Sequence, residues 1–306
     1  MVYGEMRQPA QDVAADRLRT LLPETLDAVY FVNSGAEAID AAMKLVRRVT
    51  HRSKILAVEG GYHGNTFGAL SVSSNAERKA PFAPLVGDIE LIPWNDMEGL
   101  EAIDASVAGI ILETVQGDAG IRIPNPEWLR TIRDKCTQTG AHLVLDEIQC
   151  GFGRSGRPFA FEHFGVEPDH LCLGKALGGG MPMGALVSSK EHLQQFAHSP
   201  SLGHITTFGG HPVPCAASAA ASALLQSTDW NRVEEVGQTI EAAMRGCARV
   251  REVRRIGLYI AVELESSETV NEVVQTAMQR GVLVFYFLST PQAFRIAPPL
   301  NINDVD

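Results

Sequence analysis

The sequence predicts an α/β protein: a mostly parallel, helix-covered sheet followed by a smaller α+β unit. Three observations carry this. Short runs of Ile, Val and Leu recur without polar alternation, as strands covered on both faces require. Amphipathic helical stretches lie between several of them, which implies right-handed crossovers. The pattern changes after about residue 231, where two helices alternate with strands at closer spacing.

In chain order the expected strands are AVYFV (28–32), KILAVE (54–59), AGIILE (108–113), AHLVLDE (141–147), HLCLG (170–174) and GALVSS (184–189). The expected helices are 36–50, 126–140 and 213–227, each with an apolar stripe at helical spacing. The second unit should hold a helix in NRVEEVGQTIEAAMRGC, a strand in GLYIAVELE, a helix in TVNEVVQTAMQRG and a strand in VLVFYFL. A division into 1–230 and 231–306 follows, as a chain of 306 residues exceeds one compact core. Asn303 or Asp304 resembles a helix cap with no helix after it, so both ends look cut.

A net charge of −10 argues against nucleic acid or an anionic membrane as partner. No apolar run approaches the roughly 20 residues that span a bilayer, and MVYGEMRQPAQ has no signal-peptide core. Five scattered cysteines, an odd number without a CxxC pair, indicate reduced thiols in a cytoplasmic protein, with no metal site.

Two glycine-rich stretches offer phosphate chemistry, and both fail on context. LCLGKALGGG (171–180) has its glycines after Lys175, with Asp169 and Ala176 where a Walker loop needs glycine and a hydroxyl. GFGRSG (151–156) matches GxGxxG but is separated from its strand and followed by Pro158, not a helix. A mobile glycine-rich loop is the expectation there, in preference to an oxidoreductase nucleotide site.

Asp146 closes a strand, and Lys175 follows the end of the next one, so both can reach the crevice at the carboxyl edge of the sheet. A lysine amine that captures an aldehyde and a carboxylate that protonates a pyridine nitrogen suit pyridoxal phosphate. A buried salt bridge is an equally good account of the spacing alone. Ser34 and Glu37 form an S-x-x-E capping box, and the amides of Gly35 and Ala36 at that helix start make an anion seat. By itself this is also an ordinary capped helix.

Together, NSGAEAIDAAMKLVRR, GGYHGNTFGALS, ETVQGDAG, LVLDEIQCGFGR, LGKALGGGMPMGA, TTFGGHPVPCAAS and FRIAPPLNI, in this order, resemble the class III aminotransferases. These are fold-type I pyridoxal phosphate enzymes that include acetylornithine, ornithine and 4-aminobutyrate aminotransferases. The resemblance implies Lys175 as the Schiff-base lysine and proton carrier, and Asp146 as partner of the pyridinium nitrogen. It further implies Gln149 on the ring hydroxyl, Tyr62 stacked on the ring, Glu113 beside it, and Ser34, Gly35 and Ala36 on the phosphate. Thr207 would reach the phosphate of a second subunit in a homodimer, and Arg295 would grip a substrate carboxylate.

Asp118 stands where the ω-amino enzymes of the family carry a glutamate that masks this arginine. His211 replaces an asparagine and reads as a helix-entry residue before Pro212. Family members have a further segment before MVYGE, which implies a gene fragment with Met1 internal. The implied reaction is amino transfer from an ornithine- or acetylornithine-like donor to a 2-oxo acid such as 2-oxoglutarate. Aminomutase or decarboxylase chemistry, or a truncated non-catalytic chain, are the alternatives.

Overall fold

A computed structural model describes residues 3–303. Helix α1 (Pro9–Arg19) opens the chain, and strand β1 (Ala28–Val32) leads to α2 (Gly35–Thr50). Then come β2 (Lys54–Val58), the short helices α3 (Phe67–Val72) and α4 (Ala76–Lys79), β3 (Ile89–Ile92) and β4 (Val107–Glu113). Helix α5 (Pro126–Thr139) precedes β5 (His142–Asp146), β6 (His170–Leu173), β7 (Gly184–Ser188) and α6 (Lys190–Leu193). Two long helices, α7 (Pro212–Gln226) and α8 (Trp230–Arg245), lead into β8 (Val250–Ile256) and β9 (Tyr259–Leu264). The chain continues through α9 (Ser267–Gln279), β10 (Phe285–Tyr286) and β11 (Ala293–Ile296).

The first seven strands form one sheet in the order β1-β7-β6-β5-β4-β2-β3. All run parallel except β7, which is antiparallel to both β1 and β6. The reason is length: residues 174–183 join β6 to β7, and so few residues cannot make the crossover that a parallel return needs. Every residue of β4 and β7 is buried, in keeping with their unbroken apolar runs. Helix α2 supplies Ala38, Ile39, Ala42, Leu45 and Val46 to the cover over one face of the sheet. Each large apolar side chain buried there contributes about 1.5–3 kcal/mol. Trp128, Leu129 and Ile132 of α5 belong to the core cluster on the other face.

The second sheet is antiparallel, ordered β10-β11-β9-β8, with a separate apolar cluster around Val253, Ile260, Val262 and Val274. Here the sequence reading needs correction. VLVFYFL is a strand only at Phe285–Tyr286, because Val282 and Leu283 are exposed and β10 lies at the sheet edge. The charged hairpin strand β8 (VREVRRI) and strand β3 lie at sheet edges, where polar residues can face water, and neither was expected; nor was the internal strand β11, which is only four residues long.

GFGRSG is not a mobile exposed loop. It forms buried turns that dock the second sheet: Arg154 Nη1 donates to the carbonyls of Leu258 (3.1 Å) and Pro298 (2.6 Å). Gly257 packs so closely on Gly156 that a Cβ there would stand 2.3 Å from the Gly156 nitrogen. Asn303 caps no described helix, and Met1 and Asp304 lie outside the described residues.

Candidate active site

A cavity of about 200 Å³ opens at the carboxyl ends of the parallel strands. Gly35, Ala36, Tyr62, Glu113, Asp146, Gln149 and Lys175 line it, together with His63, Gly64 and Ile148. Seven residues singled out in the sequence therefore meet at one place. Three do not: Ser34, Thr207 and Arg295 lie outside the lining.

The seat at α2 follows from its cap. Ser34 is extended (φ −154°), and its Oγ accepts from Glu37 N at 3.2 Å. The reciprocal arm departs from the expected capping box: Glu37 Oε2 accepts from the Asn33 amide (2.7 Å), not from that of Ser34. The Gly35 and Ala36 amides have no acceptor within the helix, and both residues line the cavity. A Cβ on Gly35 would lie 2.6 Å from Ile148 Cδ1, so only glycine leaves this space open. Gly184 closes the seat from behind, its Cβ direction meeting the Ser34 carbonyl oxygen at 2.2 Å.

Asp146 ends β5 with its carboxylate almost fully buried. Its Oδ1 accepts from Ile148 N at 3.0 Å, and its Oδ2 sits 2.7 Å from His63 Nδ1. Burial works against charge on His63. The hydrogen bond and charge of Asp146, with Glu113 adding to them, outweigh that and hold the imidazole pKa above its ordinary value. His63 lay within a quoted motif but was given no role in the sequence reading. The only local signal is its place between Tyr62 and Gly64, and its partner is 83 residues away.

Glu113 is buried and takes the amides of Tyr62 (2.9 Å) and Gly117 (2.8 Å). Burial pushes its pKa up to about 7, with His63 lowering it and Asp146 raising it. Lys175 stands exposed at the cavity rim, in a single turn entered directly from β6, and has no side-chain partner among the described residues. Of the glycines after it, Gly179 packs against α7: a Cβ there would stand 2.8 Å from the Ala217 carbonyl oxygen.

Arg295, on β11, is half-buried, without an ion-pair partner among the described residues, its Cζ 5.9 Å from the Phe285 ring centroid. Asp118 does not mask it. The Asp118 carboxylate accepts from Leu288 N (2.8 Å) and Ser289 Oγ (2.6 Å). Thr207 is exposed, its carbonyl accepting from Tyr3 N at 3.0 Å. His211 caps α7 through Nδ1, which accepts from Val213 N at 3.1 Å, as a helix-entry residue should.

An amine at one wall, an anion fixed by a buried imidazole at another and an anion seat between them fit pyridoxal phosphate. The sheet around them is that of the fold-type I enzymes. The sequence matches the family model "Aminotransferase class-III" over residues 3–306, and the chain belongs to that family.

Among curated relatives, it is 43% identical to the acetylornithine aminotransferase of Methanopyrus kandleri, over 84% of this chain and 66% of that protein. It is 39% identical to that of Methanosarcina acetivorans, over 95% of this chain and 73% of that protein. The chain thus spans about two thirds to three quarters of their length. The ornithine aminotransferase of Toxoplasma gondii, solved with partial occupancy of PLP at its active site, superposes with a TM-score of 0.90 at 29% identity. That match covers 100% of this chain and 74% of the other. A transaminase from the marine bacterium Virgibacillus gives 0.87 at 25% identity, covering 99% and 77%.

Proposed function

We propose that this chain performs amino transfer from an ornithine- or N-acetylornithine-like donor to a 2-oxo acid such as 2-oxoglutarate, as a cytoplasmic homodimer. The observation that carries this is the meeting of Lys175, Asp146 and the α2 amides around one cavity. The names of the curated relatives support the donor class.

Bound pyridoxal phosphate supplies an aldehyde that captures amines and a ring that takes up electrons. Lys175 Nζ would hold the cofactor through that aldehyde, and would carry a proton to and from the substrate carbon. Asp146, oriented by His63, would stabilise positive charge on the ring nitrogen. Gln149 hydrogen-bonds the ring hydroxyl, and Tyr62 covers one ring face. The amides of Gly35 and Ala36 bind the phosphate, with Ser34 fixing their direction. Glu113 holds the Tyr62 and Gly117 backbones. Arg295, having no acid partner among the described residues, would grip a substrate carboxylate as a bidentate pair.

Thr207 binds the phosphate of the second subunit. Its exposure supports this, as do Phe67, Phe82, Leu202 and Phe208, large apolar residues more than half exposed in the single chain. Five free cysteines, four of them buried, support a reducing compartment, and no described helix is long and apolar enough to cross a membrane. The two units divide at residue 230, a boundary supported by the packing of α8 on β8 and β9.

Borohydride reduction of the protein with bound cofactor should fix the label on the peptide carrying Lys175, and Lys175→Ala should abolish it. Label on another lysine would sink the assignment. A panel of amino donors with 2-oxoglutarate tests the substrate class. Light scattering that finds a monomer with full cofactor affinity would contradict the shared site.

A further inference from the structure

At the opposite end of β5 and β6 from the cofactor cavity, three histidines converge. His142 opens β5, His170 opens β6, and His192 comes from α6, the short helix that follows β7. His170 is paired in register with Val144, two residues after His142, so strand alternation puts both imidazoles on one face. One nitrogen from each ring lies within 4.8 Å of the other two. The His142 and His170 rings stack with centroids 5.0 Å apart, and His142 Nδ1 lies 2.7 Å from His170 Nε2. His192 closes the triangle, with centroids 4.8 Å from His142 and 5.4 Å from His170.

We propose that His142, His170 and His192 bind a divalent transition-metal ion, Zn²⁺ foremost, in a site separate from the cofactor cavity. Imidazole is a preferred ligand of Zn²⁺, and three of them with an open fourth position for water make a complete ligand set.

Two observations favour this over a plain hydrogen-bonded cluster. His170 is fully buried, yet its Nδ1 has no partner among the described residues. The one hydrogen bond to His142 runs through Nε2, so a plain cluster satisfies only one nitrogen of this buried ring, an unusual state for a buried polar group. Among the described residues no carboxylate is hydrogen-bonded to any of the three rings; His192 Nδ1 lies 3.4 Å from Ser188 Oγ. The nearby Asp169 instead takes Arg133 Nη1 and the Leu143 amide on its Oδ2, both at 2.7 Å.

The geometry needs modest adjustment. Zinc at about 2.0–2.1 Å from each nitrogen sets them about 3.3 Å apart. The close pair would open by about half an ångström and the wider ones draw in. Four residues of strand, about 13 Å, separate His142 from Asp146, so the ion would not touch the reaction. It would clip the starts of β5 and β6 to the helix that follows β7.

Untagged holoenzyme, freed of metal by chelator, should bind one Zn²⁺ per chain by calorimetry and retain it through dialysis. His142→Gln and His192→Gln, both at half-buried positions, should each weaken binding at least tenfold. Zinc should raise the melting temperature of the parent chain but of neither variant, and X-ray absorption should show imidazole nitrogens near the zinc. Failure to retain zinc at micromolar concentration would mean a neutral imidazole cluster only, and would overturn the proposal. Zinc bound equally well by both variants would overturn it too, by placing the ion elsewhere, for example at the exposed Cys247.

Discussion

Lys175 occupies the left-handed backbone region, with φ of +44°, where a residue bearing a Cβ stores on the order of 1–3 kcal/mol of strain. The turn that imposes this aims its amine at the rim of the cavity. Beside it, the His63–Asp146 pair has no solvent to fall back on. His63→Leu leaves a buried carboxylate unpaired, so about 3–5 kcal/mol of stability should be lost in urea unfolding. Turnover should fall at least tenfold. His63→Gln, which can still donate to Asp146, should retain most of the stability. A His63→Leu variant as stable as the parent would remove the pair from the account. At this scale the sequence was informative wherever a residue's position at the cavity follows from its place at a strand end or helix start. Lys175, Asp146, Gly35 and Ala36 are of that kind. It was silent where a role depends on a partner far along the chain, as with His63 and Asp146, or on loop direction, as with Asp118 turning to Ser289.

Among the elements, the turn from β5 into residues 147–161 is held by Glu147, a buried carboxylate that accepts from Thr114 Oγ1, Ala160 N and Phe161 N. Burial pushes its pKa up to about 7, against an ordinary value of 4.5, although those three hydrogen bonds pull it down. Between these values the native state keeps a proton that the unfolded chain has lost. Its contribution to stability therefore declines as pH rises through this window and levels off above it. Denaturant unfolding at pH 5 and 7.5 should show this decline in the parent and a flatter dependence in Glu147→Gln. Strand β7 offers a sharper test. Gly184→Ala would drive a methyl into the Ser34 carbonyl, costing about 1–3 kcal/mol and weakening cofactor binding measurably. The central strands were legible to within a residue or two because they are short, apolar and buried on both faces. The edge strand β8 was not, since Arg and Glu fill most of its positions.

For the molecule as a whole, the second sheet brings Arg295 toward the first, and Arg154 is the hinge pin between them. Arg154→Ala would leave the Leu258 and Pro298 carbonyls without their donor. The melting temperature should fall, and KM for a carboxylate-bearing donor should rise more than kcat drops. An unchanged KM would separate Arg154 from Arg295. GFGRSG was expected as a mobile loop because glycines free the backbone, whereas here they serve contact between two units: Gly156 admits Gly257.

One contact joins distant parts of the chain. Gly184 lies against Ser34 because β7 runs back between β1 and β6, and that same reversal carries Lys175 at its start. Slipping β7 by one residue would therefore crowd the phosphate seat and carry the amine away in a single event. Cofactor capture thus doubles as an inspection of strand register: a misthreaded chain stays colourless, and the yellow of bound coenzyme certifies a correctly woven sheet.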